Sequence, residues 1–139
     1  MENIIIRKYL DSDYQNLLNL ITENFEINKN ITITNSDTSY SIVAILNDTI
    51  VGHIRIDKLT NCFKNCDYLI INYVCTAKEY QHQHIATTLL NYVDNIAKEN
   101  NISYIELTSK PSRIFANQLY LKNGYQKKET NCFIKTLYF

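Results

Sequence analysis

The stretch from Tyr68 to Lys98 decides the fold of this chain; it reads YLIINYVCT, then AKEYQHQH, then IATTLLNYVDNIAK. Its first nine residues, up to Thr76, are rich in β-branched and aromatic side chains and are apolar on both faces, which predicts a central strand covered on each side. After the polar middle part, apolar residues recur at helical spacing and predict an amphipathic helix; they are Ile85, Ala86, Leu89, Leu90, Val93, Ile96 and Ala97. A buried strand therefore leads through a short polar loop to the N-terminus of a helix.

The predicted junction between this strand and this helix has a chemical consequence. The first turn of a helix carries backbone N–H groups that have no acceptor within the helix, and the helix dipole adds partial positive charge. Both features favour an anion at that position. We therefore expect a phosphate group at the start of the helix.

The loop of residues 81–86 reads Gln-His-Gln-His-Ile-Ala and resembles the Arg/Gln-x-x-Gly-x-Gly/Ala motif of the GNAT acetyltransferase superfamily. In that family the loop amides hold the pyrophosphate of acetyl coenzyme A (acetyl-CoA). His84 departs from the motif, because it stands where the family has its central glycine and brings a side chain to a place where backbone and phosphate meet closely. The resemblance implies that acetyl-CoA is the cosubstrate and that it is bound by Val74, Cys75, Thr76, Gln81, Gln83, His84, Ile85 and Ala86.

Length and composition set limits on the class of protein. The 139 residues fit one domain, residues 1–139, with a single apolar core. Fourteen basic and fourteen acidic side chains cancel, so no net field favours nucleic acid or anionic lipid. The chain contains no run of eighteen apolar residues, and its start lacks the pattern of a signal peptide, so we expect a cytoplasmic protein that does not bind a membrane.

The cysteines and histidines do not predict a metal site or disulfides. Cys62 and Cys66 precede His82 and His84, but the spacing is not that of a zinc site. Cys75 lies in an apolar strand, where a reduced and buried thiol is the ordinary finding. We therefore expect no metal ligands.

The order of predicted elements is β–α–loop–β–β–β–α–β–α–β–β. The helix that begins at Ile85 lies between the strand that ends at Thr76 and the strand at 102–108. It makes these two strands parallel, in a right-handed βαβ unit. The order is that of the GNAT fold, which implies an α/β (α+β) protein with a mixed, mostly antiparallel central sheet and helices on both faces. The outer elements are predicted as a strand at 3–8, a helix capped by Asp11, strands at 40–46, 50–59 and 102–108, a helix at 113–122 capped by Ser112, and closing strands at 125–128 and 130–139.

A second motif lies near the C-terminal end. Residues 106–109 read Glu-Leu-Thr-Ser and residues 116–125 read Ala-Asn-Gln-Leu-Tyr-Leu-Lys-Asn-Gly-Tyr, and both resemble GNAT segments. The resemblance implies that Tyr120 is the general acid, since a phenol of pKa about 10 is suited to protonating a thiolate. It also places Ala116, Asn117 and Tyr120 among the cofactor-binding residues, with the small Ala116 leaving room for the thiol end. The alternative for Tyr120 is a core tyrosine whose hydroxyl is bonded to the backbone.

The general base is not singled out by the sequence. Glu106 and His53 are the candidates. The predicted catalytic residues are Tyr120 and Glu106. A strand glutamate can equally bond nearby backbone, and His53 can lie in solvent or in a satisfied core position. A water relay, or an amine that arrives neutral, would serve as well.

Three hypotheses about function follow. The leading one is an N-acetyltransferase that transfers an acetyl group from acetyl-CoA to a primary amine of a small molecule or protein, as a monomer or homodimer. The second is a catalytically degenerate GNAT fold that senses acyl-CoA or binds a protein, prompted by His84 and the missing base. The third is an interaction domain without any cofactor.

Overall fold

The computed structural model describes residues 3–28, 30–82 and 84–138. The chain divides into two compact units, residues 1–108 and 109–139, and the prediction of one domain over residues 1–139 stays a prediction. In the described residues, the first unit contains a five-stranded sheet and two α-helices. These elements are β1 (Ile5–Lys8), α1 (Tyr14–Asn24), β2 (Ser39–Leu46), β3 (Thr49–Asn61), β4 (Cys66–Thr76), α2 (Ile85–Glu99) and β5 (Tyr104–Glu106).

The strands of the sheet follow one another in chain order, from β1 to β5. The first three pairings are antiparallel, and β5 runs parallel to β4 because α2 connects them. The predicted mixed, mostly antiparallel sheet with a βαβ unit is therefore confirmed.

Two hairpins build most of the sheet. Asn47 and Asp48 join β2 to β3, and both have positive φ angles, 51° and 60°, as a two-residue hairpin turn requires. The second hairpin is longer than predicted, because the pairing of β3 with β4 continues to Asn61 and Cys66. The predicted strand at 50–59 thus ends two residues early, and the hydroxyl of Thr60 donates to the Asp67 carboxylate across the strands, at 2.8 Å.

Helices cover both faces of the sheet. Leu17 and Ile21 of α1 pack in one buried cluster with Val43 of β2. On the other face, a Cβ added to Gly52 would lie 2.8 Å from Cγ2 of Ile85 in α2. Gly52 pairs with the residue after Val43, and successive strand residues point to opposite faces. The two helices therefore lie on opposite sides of β2 and β3.

The start of α1 differs from the prediction. Asp11 does not cap the helix; it opens a single 3-10 turn, Asp11–Asp13. The Asp13 carboxylate instead accepts the N–H of Leu10 at 2.8 Å and the guanidinium of Arg7 at 2.7 Å. The hydrogen bond from Arg7 holds the pKa of the Asp13 carboxyl below its ordinary value. An ion pair with β1 fixes this end of α1.

The second unit contains α3 (Ile114–Lys122). Arg113, and not Ser112, stands at its N-cap position, without a side-chain cap. Gly124 ends the helix with a φ angle of 91°, as the Asn-Gly pair predicts. The predicted closing strands are wrong, because described residues 125–138 form no strand. Alternating apolar residues favour a strand, but only hydrogen bonds to a neighbouring strand make one.

Candidate active site

The two parallel strands β4 and β5 pair over only three residues each. Tyr68–Ile70 pair with Tyr104–Glu106, whereas β4 continues to Thr76. Beyond Ile70, β4 has no described strand partner on the β5 side. Val74, Cys75 and Thr76, which are predicted to bind acetyl-CoA, lie in this part of the strand.

The same part of β4 is bulged. Arg55 of β3 pairs with Asn72, and His53 pairs with Cys75, so the register shifts between them. Two residues of β4, at positions 73 and 74, oppose one residue of β3. Tyr73 takes a left-handed backbone conformation, with a φ angle of 52°.

His53 lies under this bulge. The imidazole Nδ1 is 2.8 Å from the carbonyl oxygen of Tyr73, and Nε2 is 2.9 Å from Oγ of Ser41. The residue is 3% exposed, and this burial lowers the pKa of His53 to about 4. Because His53 is buried, neutral and bonded at both nitrogens, it is not the general base that the sequence left open.

The hydrogen bonds of His53 continue along β2 and β3. Arg55 donates to Oγ of Ser41 at 3.1 Å and to Oγ of Ser39 at 2.9 Å. Ser39 in turn donates to a carboxylate oxygen of Asp57. Sequence reasoning missed this network, although the alternation of β3 places His53, Arg55 and Asp57 on one face and could have indicated it.

The loop before α2 has the backbone that its motif requires. His84 has φ 63° and ψ 17°, in the left-handed region, and stands at the N-cap position of α2. Its side chain is exposed, and its carbonyl accepts both the N–H and the hydroxyl of Thr88, at 2.9 and 2.8 Å. Histidine is one of the residues that tolerate this conformation, which glycine adopts freely. His84 thus keeps the turn that glycine provides in the family motif.

The other predicted residues of the loop differ in their exposure. Gln81 is exposed, Ala86 is half-buried, and Ile85 is buried against the Gly52 position of β3. Gln83 lies outside the described residues. The buried Ile85 therefore anchors the first turn of α2 on the sheet.

Of the remaining predicted residues, Glu106 lies in the first unit, and Ala116, Asn117 and Tyr120 lie in the second. Glu106 is the last residue of β5 and is half-buried. In the second unit Tyr120 is 7% exposed, and its ring meets that of Tyr125 edge to face, with centroids 5.9 Å apart. Asn117 donates from its side chain to the carbonyl of Lys110 at 3.0 Å, and Ala116 is half-buried. The roles assigned to Glu106, Ala116, Asn117 and Tyr120 stay predictions.

The described part of the chain contains neither a cluster of metal-binding side chains nor a helix that could span a membrane. Within residues 3–28, 30–82 and 84–138, no three His, Cys, Asp or Glu side chains are grouped so that they could hold a metal ion. No helix in these ranges is both long enough and apolar enough to cross a membrane.

A sequence model of the acetyltransferase (GNAT) family matches residues 5–125. The chain belongs to the GNAT acetyltransferase family. No curated protein sequence matches it.

Solved structures share the GNAT fold of this chain over almost its whole length. An aminoglycoside acetyltransferase from an uncultured soil metagenomic sample is 20% identical, with a TM-score of 0.83 and 97% of each chain covered. A transcriptional regulator from Bacillus halodurans C-125 is 19% identical, with a TM-score of 0.82 and 98% and 100% covered. A GNAT family acetyltransferase from Staphylococcus aureus is 25% identical, with a TM-score of 0.78 and 99% and 100% covered.

The first turn of α2 fits the diphosphate of the cofactor that GNAT proteins use. The helix is fifteen residues long, and its first N–H groups have no hydrogen-bond acceptor within the helix. The side chains of Gln81 and His84 are exposed, so neither occupies the protein interior beneath the turn. The anion would meet backbone amides and a positive helix end.

Proposed function

We propose that this GNAT protein transfers an acetyl group from acetyl-CoA to a primary amine of a small molecule or protein. The observation that carries the proposal is the left-handed backbone of His84 at the start of α2. The replacement of the motif glycine by His84 is compatible with phosphate binding, because the backbone turn is kept and the imidazole is exposed. The second support is the end of β4, which lies beyond the three residues that pair with β5.

The predicted residues divide between cofactor binding and proton transfer. Acetyl-CoA would supply the acetyl group as an activated thioester. The amides of Ile85 and Ala86 bind the diphosphate, and the main chain of residues 74–76 binds the pantetheine arm and polarises the thioester carbonyl. Tyr120 holds at its hydroxyl the proton that the leaving thiolate takes up. Glu106 is the remaining candidate to take a proton from the amine, directly or through water, since His53 is excluded.

The acceptor and the assembly are proposed only as classes. Aminoglycoside acetyltransferases are among the proteins of similar fold, and their substrates are small molecules with several amines. A protein amine is the other acceptor class. We propose a cytoplasmic monomer or homodimer that does not act on nucleic acid.

The first test is the binding of acetyl-CoA to the purified protein. A ligand at about one hundred times its Kd stabilises the folded state by about 2.7 kcal/mol, so the melting temperature should rise by several degrees. Acetyl-pantetheine, which lacks the diphosphate, is the control and should raise it much less. An unchanged melting temperature at millimolar acetyl-CoA would overturn the proposal.

Thiol release separates the enzyme from a sensor of acyl-CoA. Free coenzyme A should accumulate when acetyl-CoA is mixed with a panel of amines, and the acceptor is the amine that gives the fastest release. A raised melting temperature without release for any amine would favour the catalytically degenerate acyl-CoA sensor, whose supporting observation is the exclusion of His53 as a base.

Tyr120→Phe tests the general acid. Loss of the hydroxyl should lower kcat by about a hundredfold or more, the usual contribution of a positioned acid, and leave acetyl-CoA affinity nearly unchanged. Tyr125→Phe is the matched control, because the family motif accepts either ring at that position, and it should keep full kcat. Equal activity of Tyr120→Phe and wild type would remove Tyr120 from the mechanism.

A further inference from the structure

His53 is a buried titratable group that the proposed reaction does not use. It lies on the α1 face of β3, 3% exposed, and its imidazole is hydrogen-bonded to one backbone atom of the β4 bulge, the Tyr73 carbonyl oxygen. This oxygen is bonded to a side chain, as expected at a bulge, where the pairing of the two strands is interrupted. The conformation of the bulge is thus tied to one imidazole.

The protons of this network have only one consistent arrangement. A carbonyl oxygen only accepts, so Nδ1 of His53 carries the hydrogen that Tyr73 receives. The neutral ring must then accept at Nε2, and the hydroxyl of Ser41 is the donor. A guanidinium only donates, so Arg55 donates to the Ser41 oxygen and leaves the Ser41 hydrogen free for His53.

The anchoring continues beyond Arg55. Its second nitrogen donates to Ser39, whose hydroxyl donates to Asp57. Each side chain from Asp57 to His53 thus has a hydrogen-bond partner in this partly buried network, and hydrogen-bonded networks of this kind restrict the motion of their members. Burial and the nearby Arg55 charge keep the imidazole neutral by lowering the pKa of His53 to about 4, although the hydrogen bond to Tyr73 opposes this shift.

We propose that His53 is a positioning residue: its Nδ1–H holds the left-handed Tyr73 bulge, and the bulge aims the main chain of residues 74–76 at the thioester of acetyl-CoA. The proposal rests on the proposed function for the identity of the ligand. A second contact also reaches Tyr73, since its ring meets Phe25 edge to face at 5.1 Å. That contact acts on the side chain, whereas the bond from His53 acts on the backbone carbonyl.

Two substitutions separate positioning from simple packing. The side-chain amide nitrogen of asparagine can occupy the place of Nδ1 and donate to Tyr73, whereas the side-chain carbonyl oxygen of glutamine can occupy the place of Nε2 and accept from Ser41. His53→Asn therefore keeps the donor to Tyr73, and His53→Gln keeps only the link to Ser41. We expect His53→Gln to weaken acetyl-CoA binding about tenfold, the typical effect of one lost hydrogen bond, and His53→Asn to stay within about threefold of wild type.

A packing role predicts the opposite order. Asparagine is smaller than glutamine and leaves the larger void, so it would then be the more damaging change. Binding that is weakened equally by both variants, or by neither, would also overturn the proposal. The KM for the amine should stay unchanged in both variants, because the bulge is proposed to act on acetyl-CoA.

A measurement without any ligand separates this proposal from the proposed function. Amide hydrogen exchange at Val74 and Cys75 should become faster in free His53→Gln than in free His53→Asn, while exchange at Leu69 stays the same in both. Nitrogen NMR of the wild type should show the hydrogen on Nδ1 of His53. If acetyl-CoA does not bind but these results hold, the proposed function fails and the anchored bulge stands. Equal exchange in the two variants, or a hydrogen on Nε2, would overturn the role of His53.

Discussion

The two halves of β4 belong to one strand but are held in different ways. From Cys66 to Asn72 the strand is in regular register with β3, and Tyr68–Ile70 also pair with β5. From Tyr73 to Thr76 it is bulged, and only β3 is its described strand partner. In the first half the ladder of backbone hydrogen bonds to β3 is unbroken, whereas in the second half the bulge interrupts it and the Tyr73 carbonyl oxygen lies 2.8 Å from Nδ1 of His53.

This difference explains how one strand can serve both the core and a ligand. A backbone that is paired on both sides has no hydrogen-bonding groups left for a substrate. A backbone that is released on one side needs another constraint, because free backbone groups and a left-handed residue both cost stability. The comparison predicts that substitutions in the first half reduce stability and that substitutions around the second half reduce binding.

The largest expected effect comes from Ile71→Ala in the first half. Ile71 is 1% exposed, and removing its buried methyl and methylene groups should lower the free energy of unfolding by about 3 kcal/mol. Urea unfolding measures the change. The control Ile70→Ala alters the neighbouring, half-buried residue and should cost less than half as much. Loss of acetyl-CoA binding by folded Ile71→Ala would break the distinction between the two halves.

The second effect is a dependence of the free energy of unfolding on pH, which arises from His53. Its pKa is about 4 in the folded protein and 6.5 in the unfolded chain, so the unfolded chain binds this proton first as the pH falls. The stability from the neutral ring is complete above about pH 6.5, is lost progressively down to about pH 4, and then stays level. The loss amounts to roughly 3 kcal/mol.

Unfolding experiments across this pH range test the effect. The difference in stability between wild type and His53→Asn should shrink as the pH falls from 6.5 to 4. Subtracting the variant removes the contribution of the exposed histidines, His82 and His84. A difference that is constant with pH would show that His53 titrates normally in the folded protein.

A smaller effect is expected at Gly52, which pairs with Thr76 in the second half of β4. A methyl group at this position would lie 2.8 Å from Ile85 and 3.0 Å from Leu89, so Gly52→Ala should push the start of α2 away from the sheet and cost about 1 to 2 kcal/mol. Acetyl-CoA affinity should fall with it. Gly52→Ala combined with Ile85→Ala, which removes the opposing Cγ2, should cost less than the sum of the two single changes.

The smallest effect is expected at His84. His84→Gly removes the strain of a left-handed residue but adds freedom to the unfolded chain, so a net gain of about 0.5 to 1 kcal/mol is expected. His84→Ala keeps the strain and removes only the ring, and it should not be stabilising. If both variants bind acetyl-CoA more tightly, the ring obstructs the phosphate; if only His84→Gly does, the backbone turn limits binding.

Local patterns were sufficient for most of the fold. The apolar spacing from Ile85 predicted α2, the β-rich runs predicted β2 and β3, and Gly124 marked the end of α3. The family motifs gave the order of the elements. The helix caps predicted from single polar residues were wrong, since Asp11 and Ser112 do not cap their helices. A cap depends on where the backbone turns, and several nearby residues can meet that need.

The sequence by itself determined the family, the mixed sheet and the polar loop that enters α2, because these depend on periodicity and on motifs of adjacent residues. Only the tertiary structure decided that His53 is a buried anchor and not a base, and that His84 takes the conformation of a glycine. Both depend on contacts or backbone angles that residue spacing does not encode: the partners of His53 lie twelve and twenty residues away along the chain. Hydrogen-bond partners on neighbouring strands become known only when the register of the sheet is fixed.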